Sequence, residues 1–322
     1  MAWVYAEPDN EVDRGVWRVS GYADGFAALT HRDLLIPGSV QTSETAGARR
    51  EQVVAGDERG RVREQLDGSA RLLLESACAD SRAECTVELM ALVCKPFGAQ
   101  AAAIMLDMPA ADVQRLEDDA RVVWRDAAMA RRPGASAEAL RATAALANAF
   151  GADAVHKVQA FVALTYSLPA LLGNVFAQLL EYPVSSRQWR DHPRQIVEEL
   201  LRVAGPAKVV YRVVDDVARL DQTGIERGDV VAIDLESANH DSHVFPEPLQ
   251  LNLARETTPH VAFGWTPHAC LGAGAIRLAL GSVVGAWMTT FGREMVRWTW
   301  RTEADDTLVT MRRMQRVDVT CV

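Results

Sequence analysis

The sequence predicts a mainly α-helical fold that carries small β-sheets. Two observations lead there. Between residues 60 and 205 the apolar side chains recur every three or four positions, the spacing of one helix face. After Gly205-Pro206 the period falls to two, the signature of strands, and it returns near the C-terminus. The chain has 322 residues, 49% of them hydrophobic, enough to bury a core. It shows no internal repeat, no low-complexity tract and no convincing linker, so residues 1–322 are expected to form a single domain.

Taken in order, Val16–Ser20 alternates as a strand, Tyr22–Leu29 reads as a short helix, and Ile36-Pro37-Gly38 as a turn. Residues 41–62 are polar and lead into a helix start near Asp57-Glu58-Arg59. Helical spacing then covers Arg63–Leu74 and Glu84–Leu106. Pro109 sits near the first turn of the next helix. Arg131–Gly134 breaks the chain, and Ser136 suits the cap of an Ala-rich helix. The central helix spans 158–180, where Phe161, Leu164, Leu168, Leu171, Val175 and Leu179 form one buried stripe. Pro169 should kink or interrupt it. Ile196–Val203 is a further helix. Lys208–Val214, Val217–Leu220 and Val230–Leu235 read as a small antiparallel sheet, with Thr307–Met311 and Arg316–Val319 as late strands.

Composition narrows the function. A net charge of −9 argues against a nucleic-acid partner, which needs a basic face. Five scattered cysteines without CxxC spacing suit neither a disulfide framework nor a zinc site, so the reducing cytoplasm is the expected location. The N-terminus lacks the basic and apolar regions of a leader. The apolar stretch 158–180 contains Gln159, Pro169, Asn174 and Gln178, which suits a buried helix better than a membrane span.

The strongest chemical signal is Phe263-Gly264-Trp265-Thr266-Pro267-His268-Ala269-Cys270-Leu271-Gly272. A loop of small and turn-forming residues presents one cysteine and runs into an apolar helix. A thiol at a helix start is placed to become a thiolate and to ligate a soft or redox metal. A lone cysteine is more often structural, but Phe263, Gly264, His268, Cys270 and Gly272 together resemble the cysteine-ligand loop of the cytochromes P450. Thr266 stands where that family has a second glycine.

Further segments carry the same resemblance. Glu199-Leu200-Leu201-Arg202 matches the family's Glu-x-x-Arg pair; alone, such a spacing would be a surface ion pair. Ser237–Asp241 with Phe245-Pro246-Glu247-Pro248 resembles the meander that follows, except that Gln250 replaces its arginine and Arg255 lies at another offset. Asp57–Arg63 is similar to the family's Glu-His-x-Arg-x-Arg helix, with Arg59 in the histidine position. In the central helix Ala163–Ser167 falls on the acid–alcohol motif. Ser167 keeps a hydroxyl, Tyr166 replaces the acid and Leu164 the glycine.

The resemblance implies a P450-like fold with a shortened N-terminal, distal half, holding haem b. Cys270 would ligate the iron; Phe263, Gly264 and Gly272 would shape the loop. His268, Arg212, Arg63 and Arg59 would meet the propionates, and Glu199–Arg202 would be a structural pair. Ser167 and Tyr166 would line the oxygen side. The implied function is a haem-thiolate oxidoreductase acting on a small organic substrate of secondary metabolism. Its chemistry would be monooxygenation, or peroxide-driven or rearranging chemistry. A ferredoxin and its reductase would supply electrons at a patch of Arg187, Arg190, Arg194 and Arg277. The alternative is a haem-poor auxiliary protein that binds and stabilises a glycosyltransferase.

Overall fold

The computed structural model describes residues 4–6, 16–36, 59–79, 86–131, 133–151, 154–217, 224–255, 259–266, 268–291 and 298–321. The predicted turn at Ile36–Gly38, the start of the expected helix at Glu84 and most of the strand Val217–Leu220 lie outside them.

The first sheet joins three early strands to two that follow the helical layer. Strands β1 (Val4–Ala6), β2 (Val16–Val19) and β3 (Leu34–Leu35) combine with β5 (Val209–Val214) and β6 (Val230–Asp234) in the order β1-β2-β6-β5-β3. Val16 to Val19 pair in parallel with Val230 to Ile233, and β5 runs antiparallel to β6. The helix α1 (Tyr22–Thr30) packs Ala28 and Leu29 beneath this sheet with Val19, Leu34 and Ile233.

The second sheet has the order β4 (Thr86–Glu88), β8 (Met314–Cys321), β7 (Trp298–Ala304), all antiparallel. Here two expectations are corrected. The predicted helix over Glu84–Leu106 begins later: Thr86 and Val87, β-branched, pair with Thr320 and Val319. The Glu88 carboxylate then accepts the N–H groups of Met90 and Ala91 and so caps the helical turn that follows. The predicted strand Thr307–Met311 is turn and bend, apart from an isolated antiparallel bridge of Met311 to Ala207. Asp305 accepts the Thr307 N–H and hydroxyl, and the alternation reflects Leu308 and Thr310 burying against the next helix pair.

The helical layer consists of α2 (Arg59–Ala79), α3 (Lys95–Met105), α4 (Ala110–Met129) and α5 (Ala137–Phe150). It continues through α6 (Ala154–Val162), α7 (Leu168–Glu181), α8 (Ser186–Asp191) and α9 (Pro193–Ala204), followed by α10 (Leu235–Asn239) and α11 (Ala273–Thr290). Ser136 caps α5, accepting the Ala139 N–H as its position predicts. One core runs through α2, α3, α7, α9 and α11, with Leu66, Phe97, Leu171, Phe176, Leu200, Val283 and Trp287 all buried.

The central helix is interrupted where Pro169 demands it. Between α6 and α7 the residues Ala163–Ser167 form a π-helical turn, which accommodates the N–H that proline lacks. Gly98 of α3 fits this spot closely: a Cβ there would lie 2.6 Å from Pro169 Cγ and 2.7 Å from the Leu164 carbonyl oxygen. Among the described residues His156–Glu181 is long and apolar enough to cross a bilayer, yet 67% of its most apolar window is buried against the rest of the chain.

Candidate haem-thiolate site

The cysteine loop hangs on Asn239. Its Oδ1 accepts the Val261 N–H at 2.8 Å, and the Gly264 N–H returns to the Val261 carbonyl at 2.9 Å. Gly264 has φ 63°, a left-handed backbone that favours glycine. The Phe263 carbonyl then accepts the Cys270 N–H at 2.9 Å, and Trp265 accepts from His268 at 3.0 Å. At Gly272 a Cβ would sit 3.8 Å from the Cys270 sulfur, so the glycine keeps that flank open. Thr266, in the place of the expected second glycine, is exposed, and among the described non-glycine residues positive φ occurs at Asp107 and Glu247 alone. The threonine therefore sits in the loop without left-handed strain.

Packing around the Cys270 sulfur pushes its thiol pKa up, while the N–H groups of Gly272 and Ala273 and the Arg277 charge pull it down. The helix start thus supplies the donors that the sequence suggests; the residue is exposed, and it is the atoms packed close to its sulfur that keep the free thiol raised.

Two nitrogen groups stand near this loop without an anion. Arg212 on β5 is 5% exposed; its Nη1 donates to the Tyr211 carbonyl at 2.8 Å, and its Nε has no hydrogen-bond partner. Burial alone draws its pKa down to about 10. The His268 Nε2 is likewise buried and unpartnered, and burial together with the Arg212 charge lowers that ring's pKa. Buried donors are normally satisfied, and a buried guanidinium normally has a carboxylate. Such a pair suits a ligand that brings its own carboxylates, as haem does with its propionates. The donor set fits that group: one cysteine sulfur, backbone donors around it, and a guanidinium and an imidazole for acid groups.

Arg59 and Arg63 are placed differently. Both open α2 and are exposed, and Arg63 lies 3.9 Å from Asp67 on its own helix. They line an open cleft of about 880 Å³ with Arg194, Glu198, Leu271 and Arg277, and neither Arg212 nor His268 lines that cleft. Ser167 and Tyr166 sit in the π-helical turn and face α4. The Trp124 indole N–H donates to Ser167 Oγ at 3.1 Å, and the Tyr166 hydroxyl donates to the Glu117 carbonyl at 3.2 Å. Burial raises the Tyr166 pKa to about 12, with Glu117 adding to the shift. A phenol held that high is a poor proton source near neutrality.

The structural pair is buried and extended by a third residue. Arg202 binds Glu199 through two N–H groups at 2.8 and 3.1 Å, and also donates to the carbonyls of Asn239, Pro248 and Gln250. Arg255 Nε reaches Glu199 Oε2 at 3.2 Å, and the Asn252 N–H reaches the same oxygen at 3.1 Å. Burial would raise the Glu199 pKa, but Arg202, Asn252 and Arg255 outweigh it and hold the carboxyl low. Arg255 therefore supplies the guanidinium that is missing at Gln250. A fixed offset hid it, because its contact with Glu199 is made in space and not by spacing along the chain.

The proposed electron-donor patch is partly self-neutralised. Arg187 lies 3.6 Å from Asp191, and Arg277 is bound by Glu198 through two N–H groups at 2.7 and 2.9 Å. His260 Nε2 meets the same carboxylate at 3.0 Å. Burial would raise the Glu198 pKa, but these two partners bring it to about 2. Sequence reading passed over Glu198 because its neighbour Glu199 carried the motif.

A cysteine loop at a helix start, a buried Glu–Arg lock and two unpartnered nitrogen groups are the features that a haem-thiolate site would need. The chain is similar to known proteins as follows. The family profile described as Cytochrome P450 matches residues 192–308. The putative cytochrome P450 YjiB of Bacillus subtilis is 36% identical over 124 residues, covering 36% of this chain and 31% of that protein. Nocardicin C N-oxygenase of Nocardia uniformis is 37% identical over 115 residues, 33% of this chain and 29% of its own length. The match thus spans about a third of the curated relatives' length. The crystal structure of CYP109B1 from Bacillus subtilis superposes with a TM-score of 0.78 at 17% identity, covering 99% of this chain and 95% of that one. Residues 192–308 thus match the cytochrome P450 family, and the whole chain shares its fold with a solved P450.

Proposed function

We propose that this chain is a haem-thiolate monooxygenase of the P450 type, working as one domain on a small organic substrate. The observation that carries the reading is the pair of buried, unpartnered donors, Arg212 Nε and His268 Nε2, in a chain whose cysteine loop is held by backbone hydrogen bonds. Haem b, when bound, supplies the oxygen-activating iron. The chain's own residues do the rest. Cys270 gives the thiolate, with the Gly272 and Ala273 N–H groups moderating its charge. Arg212 and His268 orient the group through its carboxylates. Arg59 and Arg63, exposed on the flank of the same loop, are proposed as further carboxylate contacts that form only on binding.

On the distal side Ser167 is the proposed hydroxyl. The Trp124 N–H occupies an oxygen lone pair, which leaves the Ser167 O–H as a donor. Tyr166 is assigned to holding the π-helical turn against α4 rather than to moving protons. Relatives whose names denote natural-product oxygenation, such as nocardicin C N-oxygenase, support a secondary-metabolite substrate. Ferredoxin and its reductase are the proposed electron donors, and the cytoplasm the proposed location.

The second reading is the auxiliary protein that binds a glycosyltransferase. It is favoured by one observation, the engagement of both distal hydroxyls by α4. One experiment separates the two readings. The reduced protein with carbon monoxide should give a thiolate-type Soret band, and Cys270→Ala should abolish it. Haem-free protein that remains haem-free after reconstitution would overturn the enzyme reading. Co-purification with a glycosyltransferase would then establish the other.

A further inference from the structure

Glu198 precedes the Glu199–Arg202 pair by one residue and turns to a different set of partners. Its carboxylate accepts from Arg277 Nε, Arg277 Nη2 and His260 Nε2. The Ala262 N–H donates to His260 Nδ1 at 3.2 Å, so the ring proton sits on Nε2 and points at Glu198. Both partners flank one aromatic ring. The Arg277 guanidinium carbon is 4.8 Å from the Phe263 centroid, and the His260 ring is 6.1 Å from it. Phe263 in turn carries the carbonyl that holds the Cys270 N–H. One carboxylate therefore anchors the two groups around the residue that positions the cysteine.

The charges matter as much as the anchoring. Arg277 is a cation on the first turns of α11, stacked on the ring of Phe263, whose carbonyl holds the Cys270 N–H, and Glu198 forks it bidentately. With both present the sulfur faces a nearly neutral pair; with either one removed it faces a net charge.

We propose that Glu198 is a positioning residue that neutralises Arg277 beside Cys270 and thereby sets the charge felt by the sulfur and by the iron it holds. The proposal rests on the haem-thiolate reading. Reduction of ferric to ferrous haem adds one electron, and hence one negative charge, to the iron–sulfur unit. An uncompensated guanidinium nearby favours that state, and an uncompensated carboxylate opposes it.

The test is a reductive titration of the purified haem protein with mediator dyes. Glu198→Gln should shift the ferric–ferrous equilibrium about tenfold toward ferrous, roughly +59 mV for one electron. Arg277→Gln should shift it the opposite way, and the double variant should return toward wild type. Glu198→Asp, which keeps the charge, should stay near wild type. The carbon monoxide band position verifies that thiolate ligation persists in each. Should Glu198→Gln fail to hold haem, Arg277→Gln and the double variant still carry the test of sign. Unmoved potentials, or single variants that move in the same direction, would overturn the role of Glu198 while leaving the haem reading intact. A wild-type protein that takes up no haem would overturn both.

Discussion

At the scale of single residues, Arg212 illustrates how function opposes stability. Its guanidinium is buried with an unsatisfied Nε, a cost of about 1–3 kcal/mol in the haem-free chain. Arg212→Met should therefore raise the urea midpoint of haem-free protein while weakening haem retention. A variant that loses both would contradict the assignment. Glu198 makes the converse case. Its folded pKa of about 2 lies below the ordinary 4.5, so its contribution is present above about pH 4.5 and is lost as pH falls toward 2. The gap in urea midpoint between wild type and Glu198→Gln should thus be smaller at about pH 3 than at about pH 6. Glu199→Gln should be harsher, about 3–5 kcal/mol, because it strands Arg202, whose side chain is 1% exposed. How far such residues are legible in sequence depends on distance along the chain. Cys270 and the Glu199–Arg202 pair declare themselves by local spacing. Arg255, His260 and Trp124 do not, because their partners are chosen by how α9, the loops and α4 come together in space.

At the scale of elements, the π-helical turn at Ala163–Ser167 is the most specific device. Pro169 announces a break in its helix, and periodicity alone locates the helix around it. The form of the break is not legible, since it depends on α3 presenting Gly98 to the ring. Gly98→Ala should destabilise the fold by about 1–3 kcal/mol through that clash. In a Pro169→Ala background the penalty should shrink, and denaturant titration of the double-mutant cycle would read a coupling of about 1 kcal/mol or more. Additive costs would show that Gly98 serves another neighbour. The misread segments follow a similar logic. Thr307–Met311 alternates because its buried residues meet α4, not because it pairs in a sheet. Glu88 ends a strand and starts a helical turn with one carboxylate, a double duty that no periodicity reveals.

For the whole molecule, haem should act as a ligand of the folded state alone. At a free concentration a hundredfold above its dissociation constant it would add about 2.7 kcal/mol to stability. Thermal unfolding monitored by circular dichroism should show this gain in wild type and its loss in Cys270→Ala. An equal gain in both would mean that the cysteine contributes little to holding the group. The fold class was readable because the chain uses helix and strand periods cleanly. The order of the first sheet was not, because β1, β2 and β3 are short, and β2 and β3 find β6 and β5 far along the chain.

That sheet has a consequence for synthesis. Val16–Val19 pairs with Val230–Ile233, and Thr86–Glu88 with Asp318–Thr320, so each sheet needs a strand made long after its partner. At roughly 5–20 residues per second, the early strand stays unpaired for on the order of ten seconds or more while the helices between emerge. Those helices are local and fast to form; the sheets are the slow, non-local step. The longest stretch of chain lies between the paired Thr86 and Thr320, and a ribosome stalled before residue 230 would leave β2 as an exposed edge open to aggregation.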